Sequence, residues 1–221
     1  MMPARALVRT LPGSPDRTRA RLLEAAERLF AEHGFRATSV RALTTEARCN
    51  VASVNYHFGG KEGLYREMFR RRLVALREQR IAGIRRVMED AGGGASLELT
   101  IQAFTTAFLE PHLDQSGGRR LMRLFSRELL DPHLKPGMLQ REMVEPVRRA
   151  LTEALQAACD GLNSRTARRC VHSVIAQLAH VVQTRNAPGA MRDKELRDYS
   201  LADAVEQIVR FSAAGIRACL S

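Results

Sequence analysis

Residues 45–65 read TEARCNVASVNYHFGGKEGLY, two short helical patterns that meet across a tight turn, the second closed by a double glycine. Upstream, Thr38 or Ser39 can cap a helix whose Val40, Leu43 and Ala47 share one face. After the turn, Asn50 can cap another in which Val51, Val54 and Phe58 share a side, and Gly59-Gly60 ends it. Helices of two turns are marginal alone, so both must be held by neighbours. The chain supplies those neighbours on either side. Ser14-Pro15 opens a first helix over residues 15–33, with Leu22, Ala26, Leu29 and Phe30 at helical spacing and Gly34 as its C′ residue. From Lys61 a long pattern of Leu64, Met68, Leu73, Leu76, Ile81, Ile84 and Met88 runs to the triplet Gly92-Gly93-Gly94.

Beyond the triplet the spacing predicts helices over residues 95–113, 118–130, 137–160, 164–186 and 199–220. Asp131-Pro132, Lys135-Pro136-Gly137 and Ala187-Pro188-Gly189 separate them. No alternating β pattern and no internal repeat is present. Apolar residues make up 45% of the 221, aromatics only 5%, and there is no Trp, which suits a helical core of Leu, Val, Ala and Met. The expected fold class is all-α with about nine helices, a small N-terminal unit joined by one long helix to a larger bundle. The expected organisation is a flexible basic arm at residues 1–14, a first domain at 15–62 and a second at 63–221.

The formal charge is +11, and residues 1–80 hold 16 Lys and Arg against 8 Asp and Glu. That local excess attracts a polyanion through counterion release, and nucleic acid is the commonest such partner. No run reaches the ~18 apolar residues of a membrane span, and the first residues have no apolar stretch of a targeting kind, so a cytoplasmic protein is expected. Cys49, Cys159, Cys170 and Cys219 are scattered without a CxxC or Cys/His spacing. They read as reduced thiols, and no metal or cofactor is expected.

Two short helices joined by a tight turn, braced by an amphipathic helix and set in positive charge, outline a helix-turn-helix reader of double-stranded DNA. The helix after the turn is then the recognition helix. With Val54 and Phe58 as anchors, its other faces offer Asn50, Ala52, Ser53, Asn55 and Tyr56. Small side chains permit close approach to the major groove, Ala can touch a thymine methyl, and Asn can pair twice with adenine. His57 and Lys61 suit phosphates, as do the hydroxyl of Thr38 and the guanidinium of Arg41.

TRARLLEAAERLFAEHGFRATSVRALTTEARCNVASVNYHFGGKEGLYREMF, residues 18–69, resembles the DNA-binding domain of the TetR family of bacterial transcriptional regulators over essentially its full length. VNYHFGGKEGLY, with RLFSRELLDPHLKPGMLQREMVEPVRRAL at 123–151, is similar to the CecR-like subgroup. The resemblance implies a homodimer with one reading head per subunit and a C-terminal bundle that senses a small-molecule effector. Carried over by position, the family's phosphate and base contacts fall on Thr38, Ser39, Arg41, Ala52, Ser53, Asn55, Tyr56, His57 and Lys61. Where the family's turn usually has Gly then Val, this chain has Arg48-Cys49. A non-Gly residue in a left-handed turn costs roughly 1 kcal/mol, which Arg48 can offset by reaching a phosphate. Cys49 is expected to pack under the turn, and Gly60 replaces a frequent Ser cap.

In the second domain Phe104, Phe108, Met122, Phe125, Met138 and Met143 can line an effector cavity, with Gln102, Arg123, Arg127 and His133 as polar anchors. Val171, Val174, Ile175, Leu178 and Val182 form one stripe, and Leu201, Val205, Ile208, Ser212 and Gly215 another. Since the last helix is apolar on more than one face, the expected homodimer is a four-helix bundle made from two copies of this pair. Such a twofold dimer reads a palindromic operator, and the expected function is a repressor released by a largely apolar organic effector. An activator, or a regulator controlled by a protein partner, is the alternative. An all-α enzyme is the remote one: His112, His133, His172 and His180 belong to no Glu-x-x-His pair, nucleophile turn or phosphate loop. Arg70-Arg71-Arg72 reads as a solvated or DNA-flanking helix face, not as a membrane-binding one.

Overall fold

The computed structural model describes residues 15–92, 94–112, 117–186 and 200–220. The expected basic arm at residues 1–14, the middle glycine of the triplet and the Ala187-Pro188-Gly189 break lie outside the described residues. Among the described residues the chain forms nine α-helices and no strand: α1 Pro15–Ala37, α2 Val40–Glu46, α3 Ala52–Phe58, α4 Lys61–Asp90, α5 Leu97–Leu109, α6 Gly117–Leu130, α7 Glu145–Ala158, α8 Ser164–Asn186 and α9 Leu201–Ala218. A 3-10 turn, Glu110–His112, follows α5, and a π-helical turn, Gln140–Val144, precedes α7. None of the described helices is long and apolar enough to cross a membrane. The chain divides into two compact units, Met1–Met68 and Phe69–Ser221, so the first turns of α4 belong to the N-terminal unit.

The N-terminal unit is built on Leu22, Ala26 and Phe30 of α1, Leu43 of α2, Val54 of α3 and Leu64 of α4, all essentially inaccessible to water. Tyr65 stands edge-on to the rings of Phe30 and Phe35, with centroids 4.9 and 5.0 Å away, which draws the start of α4 into this core. The regular part of α1 stops at Gly34, whose φ of 81° breaks the helix where the pattern placed its end. Val51 corrects an expectation: it is 52% exposed, because the neighbours that cover Val54 do not extend over the first turn of α3. Gly63 carries a constraint that the hydrophobic pattern did not display. A Cβ there would sit 1.8 Å from the carbonyl oxygen of Phe58 and 2.9 Å from its carbon, so α4 rests directly on the closing backbone of α3.

In the C-terminal unit α5 is buried along most of its length, through Leu97, Ile101, Phe104, Thr105 and Phe108. It packs on α9 and α7, while α8 packs on α7 and α9. Serines start two of these helices. Ser96 Oγ accepts the Leu99 N–H at the head of α5, and Ser200 with Asp203 forms a reciprocal capping box at the head of α9. The box hydrogen bonds hold the Asp203 carboxyl below its ordinary pKa. Arg217 clasps Glu98 through both carboxylate oxygens, at 2.5 and 3.0 Å, linking the end of α9 to the start of α5.

The stripes expected to face a second copy are mostly spent inside one chain. Val171, Val174, Leu178, Val182, Ile208 and Ser212 are buried in the unit's own core, and Ile175, Leu201 and Val205 pack against it half-buried. Gln177 Nε2 donates to Ser212 Oγ at 3.1 Å, which fixes that face of α9 on α8. Only Gly215 of the set is exposed. Within the chain, α7 and α9 pack on α8, and α5 and α8 pack on α9.

Gly63→Ala should destabilise the N-terminal unit by about 3 kcal/mol, the upper end of overpacking costs, because the obstacle is backbone and cannot swing aside. Urea unfolding followed by helical circular dichroism measures it, and an Ala variant as stable as the parent would refute the contact.

Candidate nucleic-acid interface

The turn between α2 and α3 is a Schellman motif with an arginine at its left-handed position. Cys49 N–H donates to Thr44 O at 2.9 Å and Arg48 N–H to Thr45 O at 3.1 Å. Arg48 has φ 50°, the sole non-Gly residue with positive φ among the described residues. The strain expected from the missing glycine is therefore present. Arg48 is exposed and Cys49 half-buried beside it.

Caps define both ends of the reading helix. Asn50 Oδ1 accepts the Ala52 N–H at 2.9 Å and its carbonyl accepts the Ser53 N–H at 2.9 Å, which commits the Asn50 side chain to starting α3. Gly59, left-handed at φ 69°, returns its N–H to Asn55 O and ends the helix after Phe58. With Val54 as the buried anchor, Ala52, Asn55 and Tyr56 are exposed, while Ser53 and His57 are half-buried. Tyr56 is 80% exposed, and its ring meets His57 edge-on at 4.9 Å. Arg19 braces the back of the helix, with its guanidinium 5.5 Å over the Phe58 ring and an ion pair to Glu67.

The expected phosphate contacts fall into two groups. Arg41, Arg48 and Ser39 are exposed, and Ser39 Oγ is the N-cap of α2, accepting the Ala42 N–H at 3.0 Å. Thr38 and Lys61 lie lower. Thr38 is 2% exposed, and its single hydroxyl proton is shared between Gly34 O at 2.7 Å and Leu29 O at 3.2 Å. The Thr38 side chain is thus a fastener beneath the surface, which corrects its expected place among the surface hydroxyls. Lys61 Nζ donates to Phe35 O and Thr38 O, both at 2.9 Å, and stands 4.3 Å from the Phe35 ring centroid. Two of its three N–H donors hold the unit together, and one remains.

In the C-terminal unit the effector candidates differ in burial. Phe104, Phe108 and Met138 are buried, Met122, Phe125 and Met143 are half-buried, and Gln102, Arg123 and Arg127 are exposed. Phe125 stands edge-on to Phe69 at 5.9 Å. His133 is committed to its own loop: its N–H and that of Leu134 donate to Glu128, and its ring bonds Asp131 at 2.9 Å. A groove of about 480 Å³ between α5 and α9 takes in Gln102, with Thr106, Leu201, Val205, Val209 and Arg210. Missing from the expectations is Arg80, a guanidinium buried to 5% exposure against Phe108. Its signal was a charged residue at an apolar position of the α4 stripe.

Comparison with known proteins matches this arrangement at both ends. Residues 22–68 fit the model of bacterial regulatory proteins of the tetR family, and residues 102–215, just over half of the chain, fit the tetracyclin repressor-like C-terminal domain. The chain is 27% identical to the HTH-type transcriptional dual regulator CecR of Shigella flexneri, over 72% of this chain and 71% of that protein. It is 29% identical to the probable HTH-type transcriptional regulator YttP of Bacillus subtilis (strain 168), over 51% of this chain, and so spans about half the length of that relative. A solved structure from Pseudomonas aeruginosa PAO1 shares the fold, with TM-score 0.68 and 20% identity, over 96% of this chain and 95% of that one.

Arg48→Gly should raise the stability of the N-terminal unit by roughly 1 kcal/mol through relief of the left-handed conformation, read as an upward shift in the urea midpoint. A midpoint that falls would mean that the Arg48 side chain holds the turn in free protein.

Proposed function

We propose, for a chain that belongs to the TetR family of bacterial regulatory proteins and is a DNA-binding transcriptional regulator, that it acts as a homodimeric repressor on a palindromic operator and is released by a small organic effector. The observation that carries the reading is the outer face of α3. Ala52, Asn55 and Tyr56 are exposed there while Val54 is sealed beneath them. A surface that small fits the major groove, and its polar tips can address base edges. Arg41, Arg48 and the spare N–H of Lys61 suit the flanking phosphates. Thr38 supports that face from below.

The homodimer is supported by what the C-terminal unit leaves uncovered. Phe211 is 65% exposed, Gln207, Ala214, Gly215 and Ala218 of α9 are exposed with it, and Ala176 and Gln183 of α8 are exposed as well. Nothing lies within 4 Å of a Cβ placed on Gly215. Small residues around one large ring let helices approach closely, and a second copy of the same pair would bury them in an isologous contact. Two heads related by a twofold then read half-sites about one helical turn, ~34–36 Å, apart. An effector that favours a dimer geometry with another spacing lowers affinity without changing any base contact. The dual role in the name of the CecR relative supports a second reading, in which the same DNA binding also activates some promoters.

Selection of bound fragments from the chain's own genome gives the operator on which two tests run. Tyr56→Ala should change the ranking of operator variants, at roughly 1–3 kcal/mol for a lost base contact, where equal weakening on every duplex would reduce Tyr56 to a positioning role. Phe211→Glu should yield folded monomers in analytical ultracentrifugation with operator binding lost, and a variant that still sediments as a dimer would put the interface elsewhere.

A further inference from the structure

Arg80 occupies a place that α4 gives to apolar side chains. Leu73, Leu76, Arg80 and Ile84 follow one another at helical spacing and are 0, 6, 5 and 4% exposed. The guanidinium carbon lies 3.8 Å from the centroid of the Phe108 ring, and Nη1 reaches the thioether of Met143 at 3.4 Å. Nε is buried with no partner, and among the described residues no carboxylate pairs with the cation. Burial lowers the Arg80 pKa to about 10, which leaves it charged at neutral pH. His112, whose ring is 6.1 Å from that of Phe108, has its Nδ1 buried and unpartnered. Desolvation and the charge of Arg80 push the His112 pKa down to about 4, so it stands as a neutral imidazole beside a cation.

A buried cation without a counter-ion is among the costlier arrangements a core can hold, and an apolar residue of the same length would avoid the cost. The surroundings hold the group in place. Arg77 Nη1 donates to Glu142 O at 3.1 Å, binding the π-helical turn that carries Met143 to α4, and wide turns of this kind recur at functional sites. Gly118 admits the start of α6 against the backbone of His112, where a Cβ would meet the carbonyl oxygen at 2.8 Å. Among the described residues, Arg80 Nε and His112 Nδ1 thus offer polar capacity without partners, beside an aromatic ring and a thioether. A carboxylate supplies what is missing: it accepts N–H donors from the guanidinium fork, which geometry matches in pairs, and a further one from the imidazole.

We infer that Arg80 and His112 form an anion-binding site in the C-terminal unit, and that its ligand is an organic carboxylate whose apolar or aromatic body lies against Phe108 and Met143. The site deepens the proposed function, on which it rests for the word effector, since Arg80 stands on the same helix that begins at Lys61. Binding itself does not depend on that reading.

The test uses the full-length protein in thermal melts followed by circular dichroism, with benzoate, phenylacetate and decanoate, each beside its uncharged amide. At about a hundredfold excess over Kd at least one carboxylate should raise the melting temperature by on the order of 5 °C, and its amide should not. Arg80→Met should melt no lower than the parent without ligand and should lose the carboxylate shift. Arg80→Gln asks the same question if the Met variant does not fold, and Arg80→Lys should keep part of the shift. Equal shifts by acid and amide, a shift that survives Arg80→Met and Arg80→Gln, or no response to any carboxylate would each overturn the site. Operator release is read separately on the selected fragment. A carboxylate that binds through Arg80 yet leaves operator binding unchanged overturns effector release and leaves the site standing. Release by neutral compounds with no carboxylate binding does the reverse.

Discussion

A seven-residue helix has no stability of its own in water, so the reading surface exists only because other elements hold α3 at both ends. The fastening is backbone-centred. Lys61 Nζ gathers the carbonyl of Phe35 in the last turn of α1 and that of Thr38 just beyond it, and lies over the Phe35 ring. Thr38 gathers Gly34 O and Leu29 O from the other side. Gly63 lets the first turn of α4 lie on the Phe58 carbonyl. These contacts order the last turn of α1, the start of α2 and the end of α3 relative to one another before any DNA is met. Their cost in chain entropy is therefore already met in folding, and a partner duplex gains a preformed surface.

That division separates residues which a positional resemblance groups together. Thr38 and Lys61 are implied as phosphate contacts alongside Arg41, yet their donors go mainly to the protein. Arg41 and Arg48 remain hydrated, so they contribute long-range attraction that salt screens and sequence does not alter. On the proposed reading, discrimination comes from the uncharged tips of Asn55 and Tyr56, and its quality depends on how firmly the lower layer holds them. The proposed reading thus assigns affinity and selectivity to different side chains within one small unit.

Much of this was legible in the residues. Serine and asparagine caps, the glycines that end α1 and α3, and the left-handed Arg48 all act within a few residues, where local stereochemistry decides the outcome. The helical order of the C-terminal unit followed from Pro and Gly punctuation for the same reason. What the pattern could not display is the identity of the cover. The stripes on α8 and α9 have a helical period, but a period marks a buried face equally whether the neighbour is another helix of the same chain or a second chain. Phe211, outside the stripes, is the apolar ring left bare. Gly63 was silent because a glycine in the first turn of a helix has several ordinary reasons to be there, and only the Phe58 carbonyl supplies this one.

Arg80 was silent for a different reason. Charge in a sequence is counted as surface, and in an Arg-rich chain one more guanidinium carries no weight unless its place in the stripe is tested. Its setting inverts that of Arg41 and Arg48. An exposed cation keeps its hydration until a phosphate replaces it, so free protein bears little cost and the gain on binding is modest and salt-dependent. A desolvated cation has lost its hydration in the folded state, and an incoming anion meets a group that needs no further stripping and is little screened. The same residue type therefore serves two recognition problems in this chain: loose, long-range attraction to a polymer at the surface of one unit, and short-range selection of a charged group inside the other.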